Sequence, residues 1–336
     1  MKPPAPIHTA RAVAHANIAL VKYWGKRPGA ADLNLPAVGS LSMTLDRLRS
    51  ETVVAPGERD SFALDGRARA GAEARKVYEH LDRVWRASGA ASPRPGCRVE
   101  SINHLPTAAG LASSASGFAA LTLAAAAAFG LELDRPRLSG LARRGSGSAA
   151  RSLWGGFVRL DRGARDDGED CLARPLYPAD HWALRLLVVH TARGPKPIGS
   201  TDGMTRCRET SPYFDAWVAT SERDLDDAEA ALAARDLAAL GEVVERSMFK
   251  MHACMMATRP PILYWNGATL AVIHALTALR EEGLSGFATS DAGPHVKVLC
   301  AAADSERLAA RLADVAGVLE VEAVDPGPDA SVEVLA

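Results

Sequence analysis

Five stretches of this sequence combine residue types that bind or move charge. The first runs from Pro106 to Gly117, P-T-A-A-G-L-A-S-S-A-S-G. Small residues let the backbone approach a ligand, and a helix opening behind them offers free N–H groups and a partial positive charge. The hydroxyls of Ser113, Ser114 and Ser116 add donors, or reach a metal held by phosphates. On composition alone this is either a phosphate cradle or a small-residue packing turn with a serine N-cap. The second stretch is G-S-G-S-A-A-R-S, residues 145–152. It follows an expected helix rather than a strand, and no βαβ unit surrounds it, so a dinucleotide fingerprint fails on context. A hydroxyl-rich turn remains, projecting Arg151, and arginine is the bidentate binder of carboxylate and phosphate. The third is Asp291 in S-D-A-G-P, either a reactive carboxylate at a loop head or an Asx-turn residue. The fourth is Lys22, Tyr23, Lys26 and Arg27 near Asn17, which either clamp an anion or mark an exposed strand end. The fifth is the Gly/Ser/Thr loop Lys196 to Met204, with one lysine.

These groups need elements to hold them. Residues 10–22 alternate loosely and read as a strand entering the basic loop. Residues 41–48 and 49–54 read as two strands. Residues 71–88 place Ala74, Val77, Leu81, Val84 and Trp85 on one helical face. Residues 97–103 read as a strand, and the cradle opens into an alanine-rich helix, 117–129. A helix at 136–144 closes at Gly145, and 155–160 is a strand. Residues 182–191 form a strand, 191–204 a Gly/Pro-rich lid-like loop, and 212–257 one long helical region broken by Pro260-Pro261. Helix 263–282, strand 295–301, helix 304–316 and a strand at 318–324 follow. Strands and helices mix without strict alternation, which favours α+β over a doubly wound parallel sheet. A boundary between 185 and 186 divides these elements into two domains, 1–185 and 186–336.

The chain has 336 residues, 48% hydrophobic and 24% charged, enough for two packed cores. Lys plus Arg number 39 and Asp plus Glu 40, a net charge of −1, so no global basic field for nucleic acid exists. Five widely spaced cysteines with no Cys-x-x-Cys pair suit reduced thiols in a cytoplasm. The nine histidines never show metal-ligand spacing. The longest greasy run, 121–131, is too short to span a bilayer, and no targeting segment is visible.

Taken together, the motifs carry a family signature. Residues 106–115 resemble the phosphate-binding motif of the GHMP kinase superfamily, Pro-x-x-x-Gly-Leu-x-Ser-Ser-Ala. In order along the chain, N-I-A at 17–19, K-Y-W-G-K-R at 22–27, L-N-L-P at 33–36, the cradle, R-G-S-G-S at 144–148 with Arg151, S-T-D-G-M at 200–204 and D-A-G-P at 291–294 resemble the diphosphomevalonate decarboxylases of that superfamily. The resemblance implies a two-domain α+β GHMP fold with the active site in the interdomain cleft. It implies ATP-dependent decarboxylation of mevalonate 5-diphosphate to isopentenyl diphosphate with Mg²⁺, in the mevalonate route of isoprenoid biosynthesis, by a homodimer.

By the same resemblance, Asp291, Arg151, Asn17, Lys22 and Ser114 are catalytic. Tyr23, Lys26, Arg75, Ser146, Gly147, Ser148 and Arg151 bind substrate. Pro106, Ala109, Gly110, Leu111, Ala112, Ser113, Ser114, Ser116, Lys196 and Ser200 bind ATP. The metal ligands stay open. Thr201 stands where some members place arginine, His295 where asparagine is common, and Gly199 where serine is frequent. The competing readings are a decarboxylase of mevalonate 5-phosphate, a small-molecule kinase of the superfamily, and a non-catalytic nucleotide binder. Intact Tyr23 and Lys26 favour the diphosphate. Arg151 argues against a plain kinase, and intact Asp291 and cradle against a dead one.

Overall fold

In the computed structural model, which describes residues 7–29, 31–104, 113–194 and 198–335, helices and two sheets mix as the α+β reading expects. The first half contains β1 (Thr9–Val21), β2 (Ser40–Pro56), β3 (Ser61–Leu64), β4 (Arg67–Arg69), α1 (Gly71–Arg86), β5 (Cys97–His104), α2 (Ser113–Ala128), α3 (Arg135–Gly145), β6 (Phe157–Leu160) and β7 (Ala173–Tyr177). The second half contains β8 (Leu184–His190), α4 (Ser200–Thr210), α5 (Phe214–Ala234), α6 (Leu237–Met256), α7 (Gly267–Glu281), β9 (Gly286–Thr289), β10 (Val296–Ala301), α8 (Ser305–Ala313), β11 (Glu320–Val324) and β12 (Ser331–Leu335). The larger sheet runs β12-β1-β2-β5-β3-β4, with β6 and β7 continuing from β2, so the last strand returns to pair with the first. The smaller sheet runs β11-β8-β10-β9 and is antiparallel throughout.

Two long strands position the site. In β1, Ala10, Ala12 and Ala14 pack into a core under α1 and α2, while Ala16, Ile18 and Leu20 pack into a second core with α5 and α6. The face changes because the β1–β2 register shifts between His15 and Asn17, and a bulge re-aims every later side chain. Asn17 is thereby turned towards residues 148–152. In β2, Leu41, Met43 and Leu45 enter the second core, and the alternate residues Ser40, Ser42 and Thr44 are fully buried hydroxyls on the opposite face. β2 is one strand, where the sequence suggested two: its pairing with β1 continues on both sides of that shift.

Three other expectations change. The long helical region at 212–257 is two helices, because Arg235 is left-handed (φ 53°) and Asp236 caps α6 by accepting from the Ala239 N–H. Residues 200–204, read as loop, form the first turn of α4. The strands β3, β4, β7 and β12 were not read from sequence; all are five residues or fewer. Among the described residues no helix is long and apolar enough to cross a membrane.

Gly156 ties the two edges of this frame. Its φ is +64°, and a Cβ there would lie 2.2 Å from the Tyr177 carbonyl oxygen. Its N–H donates to Gly327 and its carbonyl accepts from the Thr44 N–H. Gly156→Ala is therefore expected to lower the apparent melting temperature by about 4 °C or more, the scale of a backbone clash in a left-handed position. An unchanged melting curve would show that this junction yields freely.

Candidate active site

β1 ends at Val21, and the next residue, Lys22, is 1% exposed. Its backbone N–H donates to Ser247 Oγ on α6 at 2.9 Å, which fixes where the side chain starts. Its Nζ donates to Asp291 Oδ1 at 2.8 Å. Asp291 lies just past β9, in a turn held by Ser290, whose buried hydroxyl donates to the Gly293 and His295 carbonyls at 3.1 Å each. The Asp291 side chain is 40% exposed, so the pair opens to solvent on the carboxylate side. Lys297 Nζ lies 3.1 Å from the other oxygen, Oδ2. Burial alone would raise the Asp291 pKa, but the Lys22 charge and then the Lys297 charge outweigh it and hold the carboxyl well below its ordinary range. Burial pushes the Lys22 ammonium down to about 8; Asp291 opposes this, and the Lys297 and Arg151 charges add to it.

Arg151 projects from the 3₁₀ turn Gly147–Leu153 and is 2% exposed. Its guanidinium donates to Ser42 Oγ at 3.0 Å, Ser40 Oγ at 2.5 Å and Asn17 Oδ1 at 3.1 Å. Asn17 is fixed in turn by donating to Ser152 Oγ at 2.7 Å and the Ser148 carbonyl at 3.1 Å. Burial lowers the Arg151 pKa to about 10, and no described carboxylate forms an ion pair with it. A desolvated guanidinium whose hydrogen-bond partners are all neutral is an anion site waiting for an anion. The Arg151 guanidinium carbon lies 5.9 Å from the Tyr23 ring centroid. Among the described residues the buried Tyr23 hydroxyl has no hydrogen-bond partner; it packs against Gly147, where a Cβ would come within 2.1 Å of it, so any larger residue there displaces the Tyr23 ring.

These groups face one cleft of about 500 Å³. It brings together Asn17, Lys22, Tyr23, Lys26, Ser114, Ser146, Gly147, Ser148 and Arg151 from the first half with Ser200 and Asp291 from the second. Ser114 Oγ lies 3.3 Å from Ser146 Oγ, so the start of α2 and the Gly-Ser turn share one wall. Lys26 is half-buried, and burial, then the Lys76 charge, lowers its pKa. A smaller cavity of about 180 Å³ adjoins at Ser114 and Phe118, walled by Val99, Phe62 and Leu121 with Ser101 and Asn103.

Two expected residues fall elsewhere. Arg75 is exposed and does not line the cleft; on α1 the cleft-facing residues are Lys76, Glu79 and Arg83, one position further round the helix. Ser116 is fully buried with its hydroxyl 2.8 Å from Ser50 Oγ, so it faces the sheet instead of the cleft. Pro106, Ala109, Gly110, Leu111, Ala112 and Lys196 lie outside the described residues, and Ser113 is described only as the first residue of α2. The sequence reading missed Ser40, Ser42, Lys76, Arg83 and Lys297, and placed Arg144 in a motif without a role. The alternation S-L-S-M-T-L at 40–45 and the i, i+3, i+7 spacing of 76, 79 and 83 were the available signals. Among the described residues no three His, Cys, Asp or Glu side chains group as a metal site.

Comparison with known proteins decides the family. Residues 14–173 match the diphosphomevalonate decarboxylase-like N-terminal domain, and residues 186–325 match the mevalonate 5-diphosphate decarboxylase C-terminal domain. The chain belongs to the diphosphomevalonate decarboxylase family. The human diphosphomevalonate decarboxylase is 37% identical over 313 residues, 87% of this chain and 77% of that protein. The solved mevalonate diphosphate decarboxylase of Enterococcus faecalis superposes with a TM-score of 0.88 at 36% identity, covering 98% of this chain and 100% of the other. A structure of MDDEF in complex with MVAPP, AMPPCP and magnesium gives a TM-score of 0.90 at 37% identity with the same coverage. The GHMP fold with its site between the halves is therefore this chain's fold.

In the diphosphomevalonate decarboxylase fold of this chain, the central ion pair exists only while the Lys22 amine is protonated. That ammonium donates to Asp291 and loses its proton as pH rises through about 8, so kcat/KM is expected to fall on the alkaline side with an apparent pKa near 8. Lys22→Arg, permanently charged, moves that limb upward in whatever activity it retains. A wild-type profile flat to about pH 9.5 would contradict the assignment.

Proposed function

We infer that this chain converts mevalonate 5-diphosphate and ATP to isopentenyl diphosphate, ADP, phosphate and CO₂. The observation that carries this reading is Arg151, a buried cation with no carboxylate of its own, beside the Lys22–Asp291 pair. A kinase needs a carboxylate to align its hydroxyl. A decarboxylase also needs a fixed site for the substrate's carboxylate, and Arg151 supplies it.

Each residue's task follows from the chemistry of this substrate. The C3 alcohol is a poor leaving group, so it is first converted to a phosphate ester. Asp291 aligns the C3 hydroxyl; held far below its ordinary pKa, it is a weak base that takes the proton late, and phosphoryl transfer relies on such positioning. As phosphate leaves, positive character grows at C3 and the C1 carboxylate collapses to CO₂ and an alkene. Arg151, locked by Ser40, Ser42 and Asn17, keeps that carboxylate in place through both steps. Tyr23 and Lys26, with Ser146, Gly147 and Ser148, bind the diphosphate end. Ser114 at the start of α2, with the cradle before it, binds the ATP phosphates, and the adjoining apolar cavity with Ser101 and Asn103 suits the nucleoside.

A relative has been solved with MVAPP, AMPPCP and magnesium. The described residues fit Mg²⁺ carried on ATP: hydroxyl oxygens of Ser114 and Ser146 and the Glu79 carboxylate face the cleft, and magnesium prefers a few oxygen ligands plus water and phosphate. When bound, it neutralises phosphate charge. We further propose a cytoplasmic homodimer divided at 185/186; five free, buried cysteines support a reducing compartment.

Two tests separate this reading from its rivals. Coupled ADP release with CO₂ trapping is expected to show equal yields of both with mevalonate 5-diphosphate, and little turnover with mevalonate 5-phosphate. ADP without CO₂ would indicate a kinase, and preference for the monophosphate would reassign the clamp. Asp291→Asn, which keeps the turn but leaves Lys22 and Lys297 without their carboxylate, is expected to lower kcat by about 10³ or more when measured per folded enzyme, beyond any loss of melting temperature. Arg151→Lys is expected to leave turnover impaired at saturating substrate, because a point charge does not replace a planar fork. Wild-type turnover in either variant removes that residue from its role.

A further inference from the structure

Lys297 lies on β10, between the fully buried Val296 and Val298, and is itself 3% exposed. It does not line the cleft. Its pairing with Thr289 places it across from the end of β9, two residues before Asp291, and its ammonium meets Asp291 Oδ2 at 3.1 Å. Behind it are His190 on β8 and His295, ring centroids 5.3 Å apart. Burial lowers both their pKa values, and the Lys297 charge adds to this. No other described carboxylate forms an ion pair with Lys297.

Packing does not account for a charge here. A buried ammonium is costly even when paired, and an apolar side chain of similar length fills the same space without that cost. Fold stability does not call for a second lysine either, since Lys22 already pairs with Asp291. What Lys22 alone cannot do is fix the carboxylate plane. The terminal torsion of an aspartate is broad and roughly two-fold, so a carboxylate held through one oxygen still swings about its last bond. A second donor on the other oxygen removes that freedom.

We infer that Lys297 is a positioning residue for this reaction: from β10 it holds Oδ2, so that Asp291, tied through Oδ1 to Lys22, presents its remaining lone pairs to the C3 hydroxyl in a single orientation. This rests on the Asp291 reading above.

The experiment uses the full-length enzyme with mevalonate 5-diphosphate and ATP, comparing Lys297→Met, Asp291→Asn and the double variant. Lys297→Met is expected to lower kcat by about 10–100-fold, the cost of a small misplacement, while KM for mevalonate 5-diphosphate changes by less than about threefold. In the Asp291→Asn background the same change is expected to cost less than about threefold, because there is no carboxylate left to orient. A merely structural lysine would lower the melting temperature equally in both backgrounds and leave the kcat of folded enzyme intact; that result overturns the inference. Full additivity of the two substitutions also overturns it. An active Asp291→Asn enzyme overturns the Asp291 reading and this inference with it, whereas an inactive Asp291→Asn beside a fully active Lys297→Met overturns this inference alone. Lys297→Gln is made in parallel as a second neutral variant, and is read by the same criteria should Lys297→Met fail to fold.

Discussion

The contact on which the site depends is the ion pair between Lys22 and Asp291, residues 269 apart in sequence. One partner hangs from the end of β1 in the larger sheet, the other from the end of β9 in the smaller. Neither half holds a complete site. An ammonium as buried as Lys22 is tolerable only beside a compensating charge, so the halves must meet in register for the charge to be balanced. Two apolar clusters enforce that register. One packs Ile18, Leu20, Leu41 and Met43 against Leu225, Val244 and Leu299. The other packs Trp24 among Met204, Cys207, Trp217, Met251 and Cys254, with the Trp217 indole donating to the Trp24 carbonyl at 3.0 Å. The residues flanking Lys22 are thus pinned from both halves before its ammonium reaches Asp291.

Much of the fold was legible because its signals are local. The face of α1 announces itself by periodicity and α2 by its alanine content; α1 falls close to expectation, whereas α2 begins at Ser113, a turn before the expected 117. The failures are tertiary. The β2 region reads as two strands until its pairing with β1, β5 and β6 is seen to hold it as one. The break between α5 and α6 turns on one left-handed arginine, a residue with no preference for that conformation, so composition gives no warning. The first turn of α4 carries Ser200 and Thr201 on the cleft wall, and at Gly203 a Cβ would lie 3.0 Å from the Trp24 ring. Composition that suggests a loop is there a consequence of close packing.

The site divides the same way. Asp291, Arg151, Lys22 and Tyr23 sit in contiguous motifs and could be named from sequence. For Ser40 and Ser42 the alternation marks a hydroxyl face but not its partner, since the pairing of β2 with β1 and β6 is what brings those hydroxyls beneath the guanidinium of Arg151. Lys76 was missed by one position for a geometric reason: neighbouring residues on a helix point about 100° apart, and the family motifs near α1 are loose enough to leave the phase open. Lys297 is a single charge in the strand V-K-V-L-C, with nothing local to tell a buried lysine from an exposed one.

The electrostatic pattern explains how one scaffold supports phosphoryl transfer and then decarboxylation. Around Asp291 two cations, Lys22 and Lys297, serve one carboxylate, and their joint charge makes it a poor base but a fixed acceptor. Around Arg151 the balance is reversed: a cation is surrounded by neutral oxygens that orient it without quenching its charge. The first arrangement suits a step in which the protein aligns a nucleophile and lets the phosphates carry the charge. The second suits a step in which a carboxylate must be held until it departs as neutral CO₂. Had Arg151 been paired with a carboxylate of the protein, substrate binding would have had to break that pair, spending binding energy before either reaction began. Leaving it without a described carboxylate partner in the free enzyme moves that cost into folding, where the packed serines and Asn17 absorb it, and leaves the guanidinium open to an anion from outside the protein.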